Sequence, residues 1–164
     1  MIKAVITPSE TEIAAKLAHK IWNQHYVNII GQLQVDYMVE KFQSVEAISE
    51  QIKKGYAYFL SYHKELPCGY LALVANEEEK KLMISKIYVD AEFRGLNLGT
   101  ELLDFSVQKA KENGYKLLWL TVNKNNSNSI QWYEKRGFEI KEKIEMDIGN
   151  GFVMDDYVME KILD

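Results

Sequence analysis

The segment that most constrains the fold lies in the middle of the chain, where an apolar run leads through a short loop into a helical pattern. The run at residues 82–89 has the composition of a β-strand. Apolar residues then recur at helical spacing from Leu98 to Ala110, and Gly114 is placed to end the helix. The sequence therefore predicts a strand, a tight loop and a helix in direct succession.

The loop between these elements, residues 94–100, is here called the glycine loop. The first N–H groups of a helix have no intrahelical partner, and the helix dipole adds partial positive charge there, so such a loop suits an anion. Arg94 adds a full positive charge. The alternative is that Gly95 and Gly99 serve only a tight turn. The glycine loop consists of Arg94, Gly95, Leu96, Asn97, Leu98, Gly99 and Thr100.

Two common phosphate-binding patterns do not fit this loop. A P-loop ends in Gly-Lys-Ser/Thr, whereas Gly99 is followed by Thr100 and Glu101. A dinucleotide fingerprint needs three glycines in the first strand–helix unit and an acid about twenty residues later, whereas this loop lies in mid-chain with two glycines. The sequence therefore disfavours a P-loop nucleotide site and a nicotinamide site.

A second segment, residues 126–138, begins with small polar residues and continues into an aromatic helical pattern. It reads Asn126-Ser127-Asn128-Ser129-Ile130-Gln131-Trp132-Tyr133-Glu134-Lys135-Arg136-Gly137-Phe138. The glycine loop and this segment, separated by a helix and the apolar run 117–122, resemble the GNAT superfamily of acyl-CoA-dependent N-acetyltransferases. The resemblance covers at least residues 85–138 and, more loosely, the whole chain.

One residue of the glycine loop departs from the family pattern. That pattern is an Arg or Gln, two residues, a Gly, one residue and then a Gly or Ala, and Asn97 stands at the first of those glycines. We predict that Asn97 adopts a positive φ, because asparagine tolerates that region better than other residues with a side chain. The loop is then expected to keep its shape, and the effect of the added side chain falls on acetyl-CoA affinity.

The order of predicted elements indicates an α/β fold with a mixed sheet. A helix that links the strands 82–89 and 117–122 implies a right-handed parallel crossover. The resemblance implies a GNAT-like fold, in which a central, mostly antiparallel sheet with a splayed parallel pair is flanked by helices. With no linker or repeat, residues 1–164 are predicted as a single N-acetyltransferase domain. Strands are predicted at 2–7, 56–62, 68–75, 82–89, 117–122, 138–147 and 152–161, and helices at 9–24 (capped by Ser9), 32–42, 44–55 (capped by Ser44), 98–114 and 129–135.

The resemblance also implies roles for individual residues. Carried over by position, Ile87 and Val89 offer backbone hydrogen bonds to the pantetheine arm of CoA, the glycine loop surrounds the pyrophosphate, and Asn126 holds the arm from the other side. Tyr133 is the predicted general acid toward the CoA thiolate, because a phenol stays protonated near neutrality. The alternative is core packing for the two strand residues and Tyr133, and a turn for Asn126.

The general base and the acceptor pocket are less defined. Some relatives place a Glu on the fourth strand, but Ser85-Lys86-Ile87-Tyr88 contains no acid. Aromatic residues at helical spacing in the segment 22–42 are expected to line the acceptor pocket, with core packing as the alternative. The candidate bases are Asp155, Asp156, Glu134 and, through water, His25; the pocket candidates are Trp22, His25, Tyr26, Asp36, Tyr37, Glu40 and Phe42.

Composition narrows the function classes further. A net charge of −4 disfavours nucleic-acid binding by bulk electrostatics and favours a cationic substrate. One cysteine and three histidines provide no metal-binding pattern, so no metal is expected, and Cys68 is predicted to be a small buried residue. No apolar run approaches the roughly eighteen residues of a membrane span, and the N-terminus lacks a signal pattern. We therefore expect no membrane partner and a cytoplasmic location.

The resemblance predicts an enzyme, an acyltransferase that moves an acetyl group from acetyl-CoA to a primary amine by direct transfer in a ternary complex. The acidic balance favours a small cationic acceptor such as a polyamine or diamine, and residues 34–38 and 154–157 resemble segments of bacterial polyamine acetyltransferases. A protein or peptide N-terminus or lysine is the second acceptor class. The alternative of another class is a non-catalytic acyl-CoA-binding sensor. A homodimer is an open expectation.

Overall fold

Strands and helices follow one another in the predicted order, with one short helix added. The computed structural model describes residues 1–164, and the added helix occupies the link between the first two predicted helices. None of the helices combines the length and the apolar composition that crossing a membrane requires. The strands are β1 (Ile2–Ala4), β2 (Ala57–His63), β3 (Leu66–Asn76), β4 (Lys81–Val89), β5 (Leu117–Asn123), β6 (Glu139–Gly149) and β7 (Phe152–Ile162), and the helices are α1 (Pro8–His25), α2 (Val27–Ile30), α3 (Gln32–Gln43), α4 (Val45–Lys53), α5 (Leu98–Glu112) and α6 (Ser127–Glu134).

Side-chain caps decide where two of the helices begin. The predicted cap of α1, Ser9, is wrong, because Thr7 is the N-cap. The Thr7 hydroxyl accepts a hydrogen bond from the Glu10 N–H, and the Glu10 carboxylate accepts one from the Thr7 N–H. Pro8 fills the first helical position, where its fixed φ suits the helix and its missing N–H costs nothing. Ser44 caps α4 as predicted.

The seven strands belong to one mixed sheet with the order β1-β2-β3-β4-β5-β7-β6. Strand β2 pairs antiparallel with β1 and β3, and β7 pairs antiparallel with β5 and β6. Strands β4 and β5 form the parallel pair, with residues 81–83 in register with residues 117–119. The predicted α/β architecture, a mostly antiparallel sheet that contains one parallel pair, is therefore confirmed.

The chain divides into two compact units. Unit 1 comprises Met1–Val74 and Lys86–Ser106, and unit 2 comprises Ala75–Ser85 and Val107–Asp164. Unit 1 thus contains the first four helices, β1, β2, nearly all of β3, the end of β4 and the start of α5. Unit 2 contains the start of β4 with β5, α6, β6 and β7. A single domain over residues 1–164 stays a prediction.

Unit 1 buries one face of α1 and the middle of β3. The buried residues of α1 recur at helical spacing, as an amphipathic helix requires. The rings of Phe59 and Phe105 meet edge to face with their centroids 4.8 Å apart. Cys68 is fully buried, which confirms its prediction as a small core residue, and burial raises the pKa of its thiol.

Unit 2 has its core on one face of β5. Leu118, Leu120 and Val122 are buried, and the residues between them are half-buried, which is the alternation that a strand with one covered face produces. Ile130 of α6 and Met159 of β7 are buried as well. Strand β6 is an edge strand of the sheet and is mostly exposed.

Candidate active site

The predicted site residues are distributed over both units. Unit 1 contains Ile87, Val89 and the glycine loop, which follows the end of β4. Unit 2 contains Asn126 and Tyr133, which follow the end of β5. The structure holds no cluster of three or more His, Cys, Asp or Glu side chains that could bind a metal ion.

The glycine loop follows a 3-10 turn, Ala91–Phe93, and ends in the first turn of α5. Gly95 has a φ of 84° and Asn97 a φ of 59°. The predicted positive φ of Asn97 is therefore confirmed. No atom lies within 4 Å of a Cβ built on Gly95, so this glycine serves the backbone conformation and not a close contact. Residues 94–97 are exposed, whereas Leu98 is buried and anchors the start of the helix.

The start of α5 carries the donors that a diphosphate needs. The Asn97 carbonyl accepts a hydrogen bond of 3.0 Å from the Glu101 N–H, which places Asn97 directly before the first helical turn. The N–H groups of that turn point out of the helix N-terminus, and a helix of 15 residues adds partial positive charge there. The exposed Arg94, three residues before Asn97, supplies a cation. These groups fit the diphosphate of CoA.

A buried aspartate that the sequence did not reveal, Asp90, lies just before the 3-10 turn that leads into the glycine loop. Asp90 exposes 1% of its surface. Its carboxylate accepts hydrogen bonds from the Lys20 ammonium at 2.8 Å, the Gln24 amide at 3.1 Å and the Glu92 N–H at 3.0 Å. Burial raises the pKa of this carboxyl, but these hydrogen bonds, led by that from Lys20, hold the pKa below its ordinary value. Two side chains of α1 thereby bind the residue that precedes the glycine loop.

The strand segment with Ile87 and Val89 is positioned by a close backbone approach. Both residues are half-buried. A Cβ on Gly69 would lie 2.7 Å from the Tyr88 carbonyl oxygen and 3.5 Å from the Val89 Cα. Strand β3 therefore approaches β4 so closely that a side chain at position 69 would displace it. The sequence signal for this approach was an isolated glycine inside a strand pattern.

An aromatic cluster in unit 1 contains part of the predicted acceptor region. The Trp22 ring centroid lies 4.3 Å from that of Tyr26 and 5.7 Å from that of Tyr88. The Trp22 indole N–H donates to the Tyr70 hydroxyl at 3.2 Å, and that hydroxyl donates to the Gln43 amide oxygen at 3.0 Å. The structure thus brings Trp22 and Tyr26 together with two tyrosines that the sequence analysis had not singled out.

The other residues predicted for the acceptor region are less buried than Trp22. Asp36 and Glu40 are exposed, whereas His25, Tyr37 and Phe42 are half-buried. Of the predicted set, only Trp22 is therefore buried, and Tyr26 is half-buried in contact with it.

Lys86 is a buried lysine in unit 1. In the sequence it stood out only as part of a stretch of β4 that contains no acidic residue. It exposes 5% of its surface. Its ammonium donates to the Phe42 carbonyl, to the Gln51 amide oxygen at 2.9 Å and to the Tyr58 hydroxyl. All three acceptors are neutral, so burial is not offset by a counter-ion and lowers the pKa of Lys86 to about 7.

We expect the stability of the protein to rise with pH because of Lys86. Between pH 7 and the ordinary lysine pKa of 10.5, the unfolded chain keeps the proton that the folded chain has released. Lys86 should therefore add about 2 kcal/mol to the free energy of unfolding between pH 7 and pH 9. Urea unfolding at both pH values measures it, and Lys86→Met is the reference that lacks this contribution. Parallel pH dependences of the two proteins would contradict the assignment.

Asn126 directly precedes α6 in unit 2, and Tyr133 lies within that helix. Asn126 is buried, and its N–H donates to the Asn123 carbonyl at 2.9 Å. Its own carbonyl accepts from the Ile130 N–H at 3.0 Å, while its side chain does not cap the helix. The turn alternative for Asn126 thus describes its backbone.

Tyr133 lies near the end of α6 and exposes 8% of its surface. Its ring centroid is 5.2 Å from that of Trp132 and 5.5 Å from that of Phe138, both in edge-on geometry. Two rings therefore restrict the orientation of the phenol. Its role as the general acid stays a prediction.

The candidate bases differ in burial and in partners. Asp156 exposes 4% of its surface. Burial and, to a smaller extent, the negative charge of Asp155 raise the pKa of its carboxyl to about 6, although a hydrogen bond with Thr121 acts to lower it. Asp155 forms an ion pair with Lys124 through one oxygen, and its other oxygen is buried without a partner. Glu134 is exposed.

A comparison with known proteins shows the family. A family model described as the acetyltransferase (GNAT) family matches residues 18–138, which is more than half of the chain. The chain belongs to the GNAT family. The predicted family is therefore confirmed, whereas its polyamine branch is not specifically supported.

Individual relatives share the GNAT fold or part of the sequence. An uncharacterized N-acetyltransferase of Methanocaldococcus jannaschii is 34% identical over 83 residues, which are 48% of this chain and only 37% of that protein. PaiA N-acetyltransferase from Thermoplasma acidophilum, solved with coenzyme A, has a TM-score of 0.82 at 19% identity over 99% of each chain. The ribosomal-protein-S18-alanine N-acetyltransferase of Escherichia coli has a TM-score of 0.72 at 17% identity over 100% of this chain and 94% of that one. At these identities the two structures establish the shared fold.

Proposed function

We propose that the protein transfers the acetyl group of acetyl-CoA to a primary amine by direct transfer in a ternary complex. The observation that carries the proposal is the glycine loop, which is exposed over residues 94–97, has a positive φ at Gly95 and Asn97, and is continuous with the N-terminus of α5. In a member of the GNAT family, this loop is the expected site of the CoA diphosphate. Acetyl-CoA supplies the thioester whose carbonyl carbon the amine attacks.

The roles of individual residues are part of this proposal. The N–H groups of the glycine loop and the Arg94 guanidinium bind the diphosphate. Ile87 and Val89 offer backbone groups to the pantetheine arm, and the buried Asn126 binds it through its side-chain amide. Tyr133 donates its proton to the departing thiolate, for which a phenol held by two aromatic rings is suited.

The proposed acceptor is a small cationic amine such as a polyamine or diamine. The net charge of −4 supports a cationic substrate, because a negative protein attracts it over long range. A peptide N-terminus or a lysine side chain is the second candidate, since the fold is shared with an enzyme named for acetylating a ribosomal-protein alanine. A homodimer stays a prediction that sedimentation velocity can measure.

A substrate survey tests the proposed function. Thiol release from acetyl-CoA is measured with diamines, polyamines, peptides with a free N-terminus and N-terminally blocked peptides with one lysine. We expect release with at least one small diamine or polyamine, and release with peptides alone would favour the second acceptor class. If acetyl-CoA raises the melting temperature but no amine causes release, the protein is an acyl-CoA-binding sensor. Absence of acetyl-CoA binding would reject both functions.

A further inference from the structure

We propose that Asp156 is the general base that removes the proton from the acceptor ammonium. This inference rests on the proposed acetyl transfer and adds the group that the sequence left open. The substrate class is an amine that is protonated in solution, with a pKa near ten. Such an acceptor has no lone pair until a group in the protein takes a proton from it.

The place of Asp156 in the sheet supports this role. In the register of β5 and β7, Asp156 lies opposite Asn123, the last residue of β5. Directly opposed residues of an antiparallel pair point to the same face, so the Asp156 carboxyl shares a face with the Asn123 and Thr121 side chains. It therefore lies at the carboxyl end of the strand that leads into Asn126. In open α/β sheets, ligands bind beyond that end of the strands.

The burial and partners of Asp156 set it apart from the other carboxyls. The chain has two buried acidic residues, Asp90 and Asp156. Asp90 is ion-paired with Lys20 and holds the glycine-loop entrance, so its carboxylate is already engaged. Asp156 has no ion pair, and its hydrogen-bond partner is the neutral hydroxyl of Thr121. A buried carboxylate that lacks a cation is suited to a cationic substrate, because the substrate supplies the missing charge.

One of the charged groups near Asp156, Asp155, acts on its pKa. On β7 itself, Asp155 raises the pKa of Asp156, and burial is the larger cause in the same direction. The ammonium of Lys124, which follows β5, is paired with Asp155. On β6, the residue opposite Asp156 is Ile144, and its exposed neighbours are Lys143 and Glu145. With its pKa at about 6, Asp156 is ionised at pH 7 and still basic enough to accept a proton.

The proposed step balances as follows. A proton leaves the acceptor ammonium for an Asp156 oxygen, and the freed nitrogen lone pair forms a bond to the thioester carbonyl carbon. The tetrahedral intermediate collapses with cleavage of the carbon–sulfur bond, and the thiolate takes the proton of Tyr133. The new amide nitrogen loses its second proton, which restores the Tyr133 phenol through solvent. Asp156 then releases its proton, so that each turnover liberates one proton to solution.

The pH dependence of kcat/KM with the best small amine of the survey tests the proposal. Since kcat/KM reports the free enzyme, the wild type should rise through an apparent pKa of about 6 and then level off until the amine itself titrates. Asp156→Asn, which keeps the size of the side chain, should lower kcat/KM by about 10² to 10⁴-fold. Its residual rate should increase about tenfold per pH unit, because only the free amine in solution then reacts. Acetyl-CoA affinity should stay near that of the wild type.

Two neighbouring variants provide a readout that a structural role would not produce. Asp155→Asn removes a charge that raises the Asp156 pKa, so the acidic limb should move to lower pH. Thr121→Val removes a hydrogen bond that lowers this pKa, so the limb should move to higher pH. Opposite shifts support the assignment even if Asp156→Asn folds poorly. The assignment is overturned, and the proposed function left intact, by either of two results. One is that Asp156→Asn keeps the acidic limb of the kcat/KM profile unchanged; the other is that Asp155→Asn and Thr121→Val shift this limb in the same direction. A wild type that binds acetyl-CoA but acetylates no amine overturns both.

Discussion

Replacement of Tyr133 by phenylalanine is expected to lower kcat by about 10² to 10⁴-fold while acetyl-CoA affinity stays near the wild-type value. The variant loses only the hydroxyl that would protonate the thiolate. A thiol has a pKa of about 8.5, so an unprotonated thiolate is a costly leaving group near neutral pH, and a phenol with a pKa of about 10 still carries its proton there. Steady-state kinetics and calorimetry measure the two quantities.

The fold gives this test a clear control. Phenylalanine keeps the edge-on contacts with Trp132 and Phe138, so the Tyr133→Phe variant should fold normally. Tyr115→Phe removes another phenol of unit 2, whose hydroxyl donates to Glu77, and should leave kcat near the wild-type value. If Tyr133→Phe retains most of its kcat under conditions where chemistry limits the rate, then Tyr133 is a packing residue and the thiolate is protonated by water or by another side chain.

A carboxylate introduced into the glycine loop is expected to abolish most acetyl-CoA binding. Gly99 is the second residue of α5, where the unpaired helix N–H groups would meet the diphosphate. In Gly99→Asp, the new charge repels the phosphates, and like charges in contact cost several kcal/mol, so the dissociation constant should rise by about 10²-fold or more. Arg94→Glu should weaken binding in the same direction. Calorimetric titration with acetyl-CoA measures both variants.

Stability and binding should respond in opposite directions to the Gly99→Asp change. An acidic residue in the first turn of a helix is favourable toward the dipole, so the melting temperature without acetyl-CoA should not fall. Gly99→Asn has nearly the same size without the charge and should lose much less affinity than Gly99→Asp. If Gly99→Asp and Arg94→Glu both bind as tightly as the wild type, the diphosphate does not lie at this loop.

The features predicted correctly from the sequence depend on neighbouring residues along the chain. A strand, a loop and a helix are predictable here because their hydrogen bonds and φ angles depend on nearby residues. The signals are the apolar run of β4, the glycine and asparagine residues that follow it, and the spacing of apolar residues in α5. The positive φ of Asn97 follows from the same reasoning, since it depends on what a single side chain tolerates. The predicted cap of α1 was wrong because threonine and serine hydroxyls can both cap a helix, and the Glu10 carboxylate and Pro8 together select Thr7.

The features that the sequence could not show depend on residues distant along the chain. Asp90 was one acid among 24 acidic residues until its carboxylate was found against Lys20 and Gln24 of α1, more than sixty positions earlier. Lys86 is distinguished by burial against three neutral acceptors, and Asp156 by burial without a cation. Desolvation depends on every surrounding atom, so the pKa values of these groups emerge only when strands and helices pack. The sequence by itself determined the family, the order of elements and the glycine loop, whose physics is local, whereas the tertiary structure decided which charges lose their water and thereby which carboxyl can serve as a base.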